Sequence, residues 1–90
     1  MVASFCNMYN SVMSKFANIV FGKRLKSARK NADMTQQAAA DKFGVSLRGY
    51  CRWEAGQTEP SFGTLAAISS ELGVTSDYLL GLSDEGPSDE

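Results

Sequence analysis

Two arginines four positions apart, Arg48 and Arg52, flanked by Leu47 and Cys51, are the side chains best suited to act on another molecule. Four residues make about one helical turn, so in a helix the two guanidiniums share a face. Each presents a planar fork of N–H donors that matches paired acceptors. That is the chemistry of recognition rather than of bond making. The side chains of catalysis are missing: the chain has no histidine to act as a general base. It shows no pair of carboxylates at a plausible cleft and no glycine-rich phosphate loop following a strand. Cys6 and Cys51 stand far apart and have no histidine to complete a metal-ligand set. The expectation is a protein that is not an enzyme and needs no cofactor or metal, with free thiols in a cytoplasmic setting.

Charge separates along the chain although the total is only −1. All nine basic residues lie between Lys15 and Arg52, where Asp33 and Asp41 are the only acids. From Ala55 onward seven acids face no base. A positive face able to meet phosphate is expected beside a negative one that resists nonspecific association. A solvated charge run would look the same, so charge permits nucleic-acid binding without establishing it. No apolar run reaches the ~18–20 residues of a membrane span, and the N-terminus lacks the pattern of a secretory signal.

The elements that must position these arginines are helices. Residues 1–20 carry Phe5, Met8, Tyr9, Val12, Met13, Phe16, Ile19 and Val20 at three- and four-residue spacing, the mark of an amphipathic helix. Ser4 is a candidate N-cap. A second helix, or a continuation, spans about Phe21–Asn31, with Leu25, Ala28 and Ala32 inward and Lys23, Arg24, Lys26 and Lys30 outward. Four short helices follow, punctuated by capping residues and glycines: Gln36–Phe43 after Thr35, Leu47–Ala55 after Ser46, Phe62–Leu72 after Pro60–Ser61, and Ser76–Leu80 after Thr75. The acidic tail Ser83–Glu90 is expected to be disordered. Between Gln36–Phe43 and Leu47–Ala55 there is room only for a tight turn, so the second helix must cross the first steeply. Ala39 and Ala40 permit close approach, Val45 can plug the junction, and Tyr50 and Trp53 give the second helix an inward face.

At these residues the chain resembles the Cro/CI-type (Xre-like) helix-turn-helix family of phage and bacterial repressors. The resemblance covers about Phe21–Leu82 and rests on Arg29, Thr35–Gln36, Ala40, Gly44–Val45–Ser46 and Trp53–Glu54 followed by Gly56. It continues through Pro60–Ser61, Thr64–Leu65, Leu72–Gly73–Val74 and Asp77–Tyr78–Leu79–Leu80–Gly81. It implies an all-α, compact five-helix lambda-repressor-like DNA-binding domain at 21–82, with an additional N-terminal amphipathic helix at 1–20 and the tail at 83–90. It also implies that Leu47–Ala55 is a recognition helix in the major groove of double-stranded DNA. Arg48 and Arg52 would read bases, with Leu47 on a thymine methyl and Cys51 a minor participant. Gln36, Ser46, Lys23 and Lys26 would meet or attract phosphates, and Arg29 and Glu54 would form a structural salt bridge. Phe62, Leu65, Ile68, Leu72, Tyr78 and Leu79 are read as packing.

Two residues depart from the family pattern. Gly49 lies inside the recognition helix, at a cost of about 1 kcal/mol of helix preference relative to alanine. Ala39 stands where leucine is common, and Tyr50 is placed to fill the vacated space. The family binds inverted-repeat operators as two-fold dimers, so a homodimeric transcriptional regulator, a repressor, is expected. The region Val74–Leu82 and the N-terminal helix are both candidate dimer surfaces. Residues 1–20 can equally pack on their own domain, or translation can begin at Met13. The rival reading is a protein-binding module, such as an antitoxin-like partner that uses the N-terminal helix.

Overall fold

The structure is a computed structural model that describes the backbone of residues 2–83 and the side chains of residues 15–83. The expected disorder of the acidic tail therefore falls, beyond Ser83, outside the described residues. Five helices follow in order: α1 Val2–Asn31, α2 Gln36–Lys42, α3 Leu47–Glu54, α4 Phe62–Leu72 and α5 Ser76–Leu80. Among the described residues there is no strand, and no helix is long and apolar enough to cross a membrane. The N-terminal stretch is the front half of α1, continuous with the segment from Phe21 onward. Ser4 therefore lies inside a helix that has already begun at Val2, and is not its N-cap. The expected ends of α2 and α3 move in by one residue, with Phe43 and Ala55 as the C-caps.

The four short helices start where hydroxyl side chains stop the chain from unravelling. Thr35, Ser46, Ser61 and Thr75 each accept a hydrogen bond from the amide three residues on, at 3.0, 3.0, 3.2 and 3.0 Å. Each such cap contributes about 1 kcal/mol, a large share of what a helix of two turns can supply. The α2–α3 turn closes with the Val45 amide donating to the Ala40 carbonyl at 3.0 Å. That path needs Gly44 at φ 70°, where an L side chain would be strained.

The core draws on every helix: Leu25 and Ala28, Ala39 and Ala40, Tyr50 and Trp53, Ile68 and Leu72, Tyr78 and Leu79. Val45, Phe43, Met34 and Leu65 pack against it from the periphery. Tyr50 and Trp53 meet edge to face, with ring centroids 5.8 Å apart. Helix α1 packs on α3 and α5, α2 on α3, and α4 on α5.

Three expected orientations are corrected. Ala32 is exposed, because α1 ends at Asn31 and turns away before reaching it. Arg24 is half-buried: its guanidinium sits 4.6 Å from the Tyr78 ring centroid and donates to the carbonyls of Tyr78 and Ser83, tying α1 to α5. Phe62 is 90% exposed, because the apolar stripe of α4 runs one turn past the core.

Gly22 is where α1 approaches α3 most closely. A methyl group there would lie 2.5 Å from the Glu54 carbonyl oxygen and 2.7 Å from that of Trp53. Both obstacles are backbone, so the helices must separate to admit it. Gly22→Ala is expected to lose about 1–3 kcal/mol, despite alanine's better helix propensity. Thermal unfolding checks this, and an unchanged or higher Tm would contradict the close approach.

Candidate nucleic-acid interface

Helix α3 carries two faces with different tasks. Tyr50 and Trp53 are buried, and this fixes the rotation of the helix about its own axis. Leu47, Arg48 and Arg52 are then left on the surface, with Cys51 half-buried between them. Leu47 is 41% exposed, an apolar side chain in solvent at the first turn of a short helix. Ser46 is exposed beside it, its hydroxyl oxygen accepting from the Gly49 amide. Lys23 and Lys26 are exposed on α1. Leu47, Arg48, Cys51, Arg52 and Ser46 thus share one helix and its cap, while the two lysines belong to another element.

Gly49 is explained by nothing on the domain side. The nearest atom to an added methyl group would be Ser46 Oγ, at 3.2 Å.

Behind this face lies a polar cluster centred on Glu54. Arg29, only 8% exposed, donates from Nε to Glu54 Oε2 at 2.7 Å and from Nη2 to Oε1 at 3.4 Å. Its Nη1 donates to the Met34 carbonyl at 2.9 Å. The Tyr50 hydroxyl donates to Oε2 at 2.6 Å, and Gln36 Nε2 donates to Oε1 at 2.9 Å. One carboxylate therefore ties α1, the start of α2 and two turns of α3 together. Among the described residues no buried side-chain nitrogen or oxygen lacks a partner.

Gln36 differs from the expectation in its surroundings. It is half-buried rather than exposed, and one of its amide N–H groups is committed to Glu54. An amide NH2 carries a second donor, so this bond leaves one proton for another acceptor while fixing where the group points. Sequence reasoning assigned Tyr50 to the core on its apolar bulk and missed its hydroxyl bond. The signal was present, since Tyr50 and Glu54 stand four apart on one helix.

The cluster also sets its own electrostatics. Burial is the largest single influence on Glu54 and pushes its carboxyl up. The hydrogen bonds from Arg29, Tyr50 and Gln36, with the Arg29 charge, together outweigh it and hold the group below the usual glutamate range. The Glu54 bond is the main cause that raises the Arg29 guanidinium, against the opposing effect of burial. Burial, reinforced by the bond to Glu54, pushes the Tyr50 hydroxyl far above the ordinary tyrosine range.

A carboxylate with a depressed native pKa stabilises the fold above its unfolded value, about 4.3, and loses that contribution as pH falls through the native value. The Glu54 carboxyl carbon, followed by NMR, is therefore expected to titrate below the usual glutamate range, with unfolding free energy declining through the same window. A midpoint above about 4.3 would contradict the cluster.

Comparison with known proteins follows the same segment. The helix-turn-helix family matches residues 25–79. The chain is 43% identical over 61 residues to the SPbeta prophage-derived uncharacterized HTH-type transcriptional regulator YonR of Bacillus subtilis, covering 68% of this chain and 56% of that protein. It is 36% identical over 61 residues to Repressor protein C2 of Salmonella phage P22, covering 68% of this chain and 28% of that one. It is 36% identical over 59 residues to the Cryptic phage CTXphi transcriptional repressor RstR of Vibrio cholerae, covering 66% and 53%. The chain spans about half the length of the first of these curated relatives.

Proposed function

From the premise that this chain belongs to the Cro/CI-type helix-turn-helix family of transcriptional regulators, we propose that it binds specific double-stranded DNA as a homodimer and acts as a repressor. The observation that carries this reading is the rotation of α3. With Tyr50 and Trp53 buried, both guanidiniums of the helix stand on the surface beside the exposed Leu47.

In this reading α3, from Leu47 to its cap Ala55, lies in the major groove. Arg48 and Arg52 each donate a pair of hydrogen bonds to guanine O6 and N7. Leu47 lies against a thymine methyl, and Cys51 makes a short-range contact between them. The second Gln36 N–H and the Ser46 hydroxyl proton meet backbone phosphates on either side of the groove. Lys23 and Lys26 add longer-range attraction. Two copies on an inverted repeat, with half-sites about one helical turn apart (~34 Å), supply the length of sequence that one helix cannot. Repression then follows from occupancy of an operator, with no chemistry on a substrate. The relatives named above as regulators and repressors support the same role.

The test is the salt dependence of duplex binding, measured by fluorescence anisotropy. Affinity is expected to fall steeply and linearly on logarithmic axes as salt rises. Lys23→Ala and Lys26→Ala each remove two lysines from a two-fold complex, so each should flatten the slope by up to about two units and weaken all sequences alike. Binding that does not respond to salt would remove phosphate contact from the reading.

A further inference from the structure

We propose that the N-terminal half of α1 is the surface on which a second copy of this chain pairs, the two α1 helices lying antiparallel along a seam that ends at Phe16 and Ile19. This deepens the dimeric reading above, and its evidence is separate from the DNA-facing side of the molecule.

The first observation is register. Val2, Phe5, Tyr9, Val12, Phe16 and Ile19 follow one another at spacings of three, four, three, four and three. That is the a/d repeat of paired helices, whose seam meets a partner once every 3.5 residues. Helix α1 is continuous through all six positions.

The second observation is rotation. At 100° per residue, the part of α1 that its own domain buries (Phe21, Gly22, Leu25, Ala28 and Arg29) points roughly 170° away from the a/d positions. The domain therefore covers one side of α1 and the seam runs along the other, with Ile19 at the edge, where its Cγ1 lies beside Gly56. The described end of the seam agrees: Phe16 is 59% exposed and Ile19 48%. The seam cannot fold back onto the domain without breaking the helix between residues 16 and 21, where it is unbroken.

The chemistry of the seam selects the occupant. Residues 1–14 contain no charged side chain, so a partner recognised by charge would find nothing to pair with there. An identical seam offers apolar side chains of equal length and period. At about 150 Å² for each of its three aromatics and roughly 60–100 Å² for each of its three aliphatics, pairing hides roughly 630–750 Å² per copy. Two copies then bury about 1,300–1,500 Å², within the range of a stable interface.

The direction follows from Lys23, Lys26 and Lys30, which continue the seam side of α1 beyond Ile19. Parallel pairing would set these lysines against their own copies, and like charges at such positions repel. Antiparallel pairing carries them to opposite ends. It also places Phe5 opposite Phe16 and Tyr9 opposite Val12.

The experiment is sedimentation velocity on the full chain without DNA. A dimer is expected for the native protein. Phe16→Glu should give a monomer that keeps native helix content and cooperative unfolding, since that side chain is 59% exposed, with a Tm lowered only by the loss of association and no longer dependent on concentration. Phe62→Ser with Leu82→Glu, at exposed apolar side chains of α4 and of the segment just after α5, should leave the dimer intact. A monomeric native chain, a dimeric seam variant, or a dimer lost only in the α4–α5 variant would each overturn the proposal.

Direction is read by disulfide trapping in a chain carrying Cys6→Ser, Cys51→Ser, Phe5→Cys and Phe16→Cys. A link from position 5 of one copy to position 16 of the other supports the antiparallel arrangement, and a link between the two positions 5 overturns it. Because mass is measured without DNA, a monomer that still binds DNA would sink the pairing alone. A dimer that binds no DNA would sink the DNA reading alone.

Discussion

Glu54→Ala is expected to destabilise the fold by about 3–5 kcal/mol, the cost of removing one partner from a buried ion pair. The chain as a whole has roughly 5–13 kcal/mol to lose. Four donor groups converge on this carboxylate: two nitrogens of Arg29, the hydroxyl of Tyr50 and the amide of Gln36. Its removal leaves a guanidinium that is 8% exposed with no counter-charge, beside a fully buried tyrosine whose hydroxyl has lost its acceptor. Neither can reach water without opening the contact between α1 and α3.

The Tm should fall by more than roughly 10 °C. Glu54→Gln keeps an acceptor but not the charge, and should cost less. Tyr50→Phe keeps the ring and loses one bond, about 1 kcal/mol net. Denaturant titration of the three variants checks the order, and a loss below about 1 kcal/mol for Glu54→Ala would contradict the cluster's role as the joint between helices. The same variant should lose DNA binding at 37 °C and regain it on cooling, because Glu54 lies behind the binding face. Loss that cooling does not restore would move Glu54 into the interface.

The second large effect falls on binding alone. Arg48→Ala or Arg52→Ala should leave the unfolding free energy within about 0.5 kcal/mol of the native value, as expected for exposed positions. On an operator, a bidentate arginine–guanine contact is worth about 1–3 kcal/mol of discrimination. A two-fold complex makes that contact twice, so each variant should lose about 2–6 kcal/mol, or roughly 30-fold to more than 10,000-fold in affinity. The loss should be confined to operators with guanine at the contacted position. Competition against operators substituted one base pair at a time measures it. A uniform loss across all sequences would reassign the arginine to phosphate contact.

Much of this was legible before any coordinates, for identifiable reasons. Thr35, Ser46, Ser61 and Thr75 announce helix starts because a hydroxyl at that position satisfies an amide the helix itself cannot. The outward face of α3 follows from Tyr50 and Trp53, which at three residues apart can only share a side. What escaped depends on how helices sit against one another. Lys23, Arg24 and Lys26 look alike in sequence, yet only Arg24 lies where Tyr78 of α5 offers its ring and carbonyl and Ser83, just beyond the helix, a second carbonyl. Gln36 turns inward because the end of α3 brings Glu54 within reach, 18 positions away in the chain. Phe62 keeps the apolar spacing of α4 but lies one turn beyond the core. For the N-terminal stretch, periodicity announced a helix and left its covering open. The backbone of α1 runs unbroken from that stretch past Phe21.

The measurement that bears most directly on the account is selection from a randomised duplex library by the native chain, followed by sequencing of the bound DNA. The account predicts an enriched inverted repeat with half-sites about one helical turn apart, and guanine at the positions that Arg48→Ala and Arg52→Ala relax. A folded native protein that enriches no motif at low salt would contradict it.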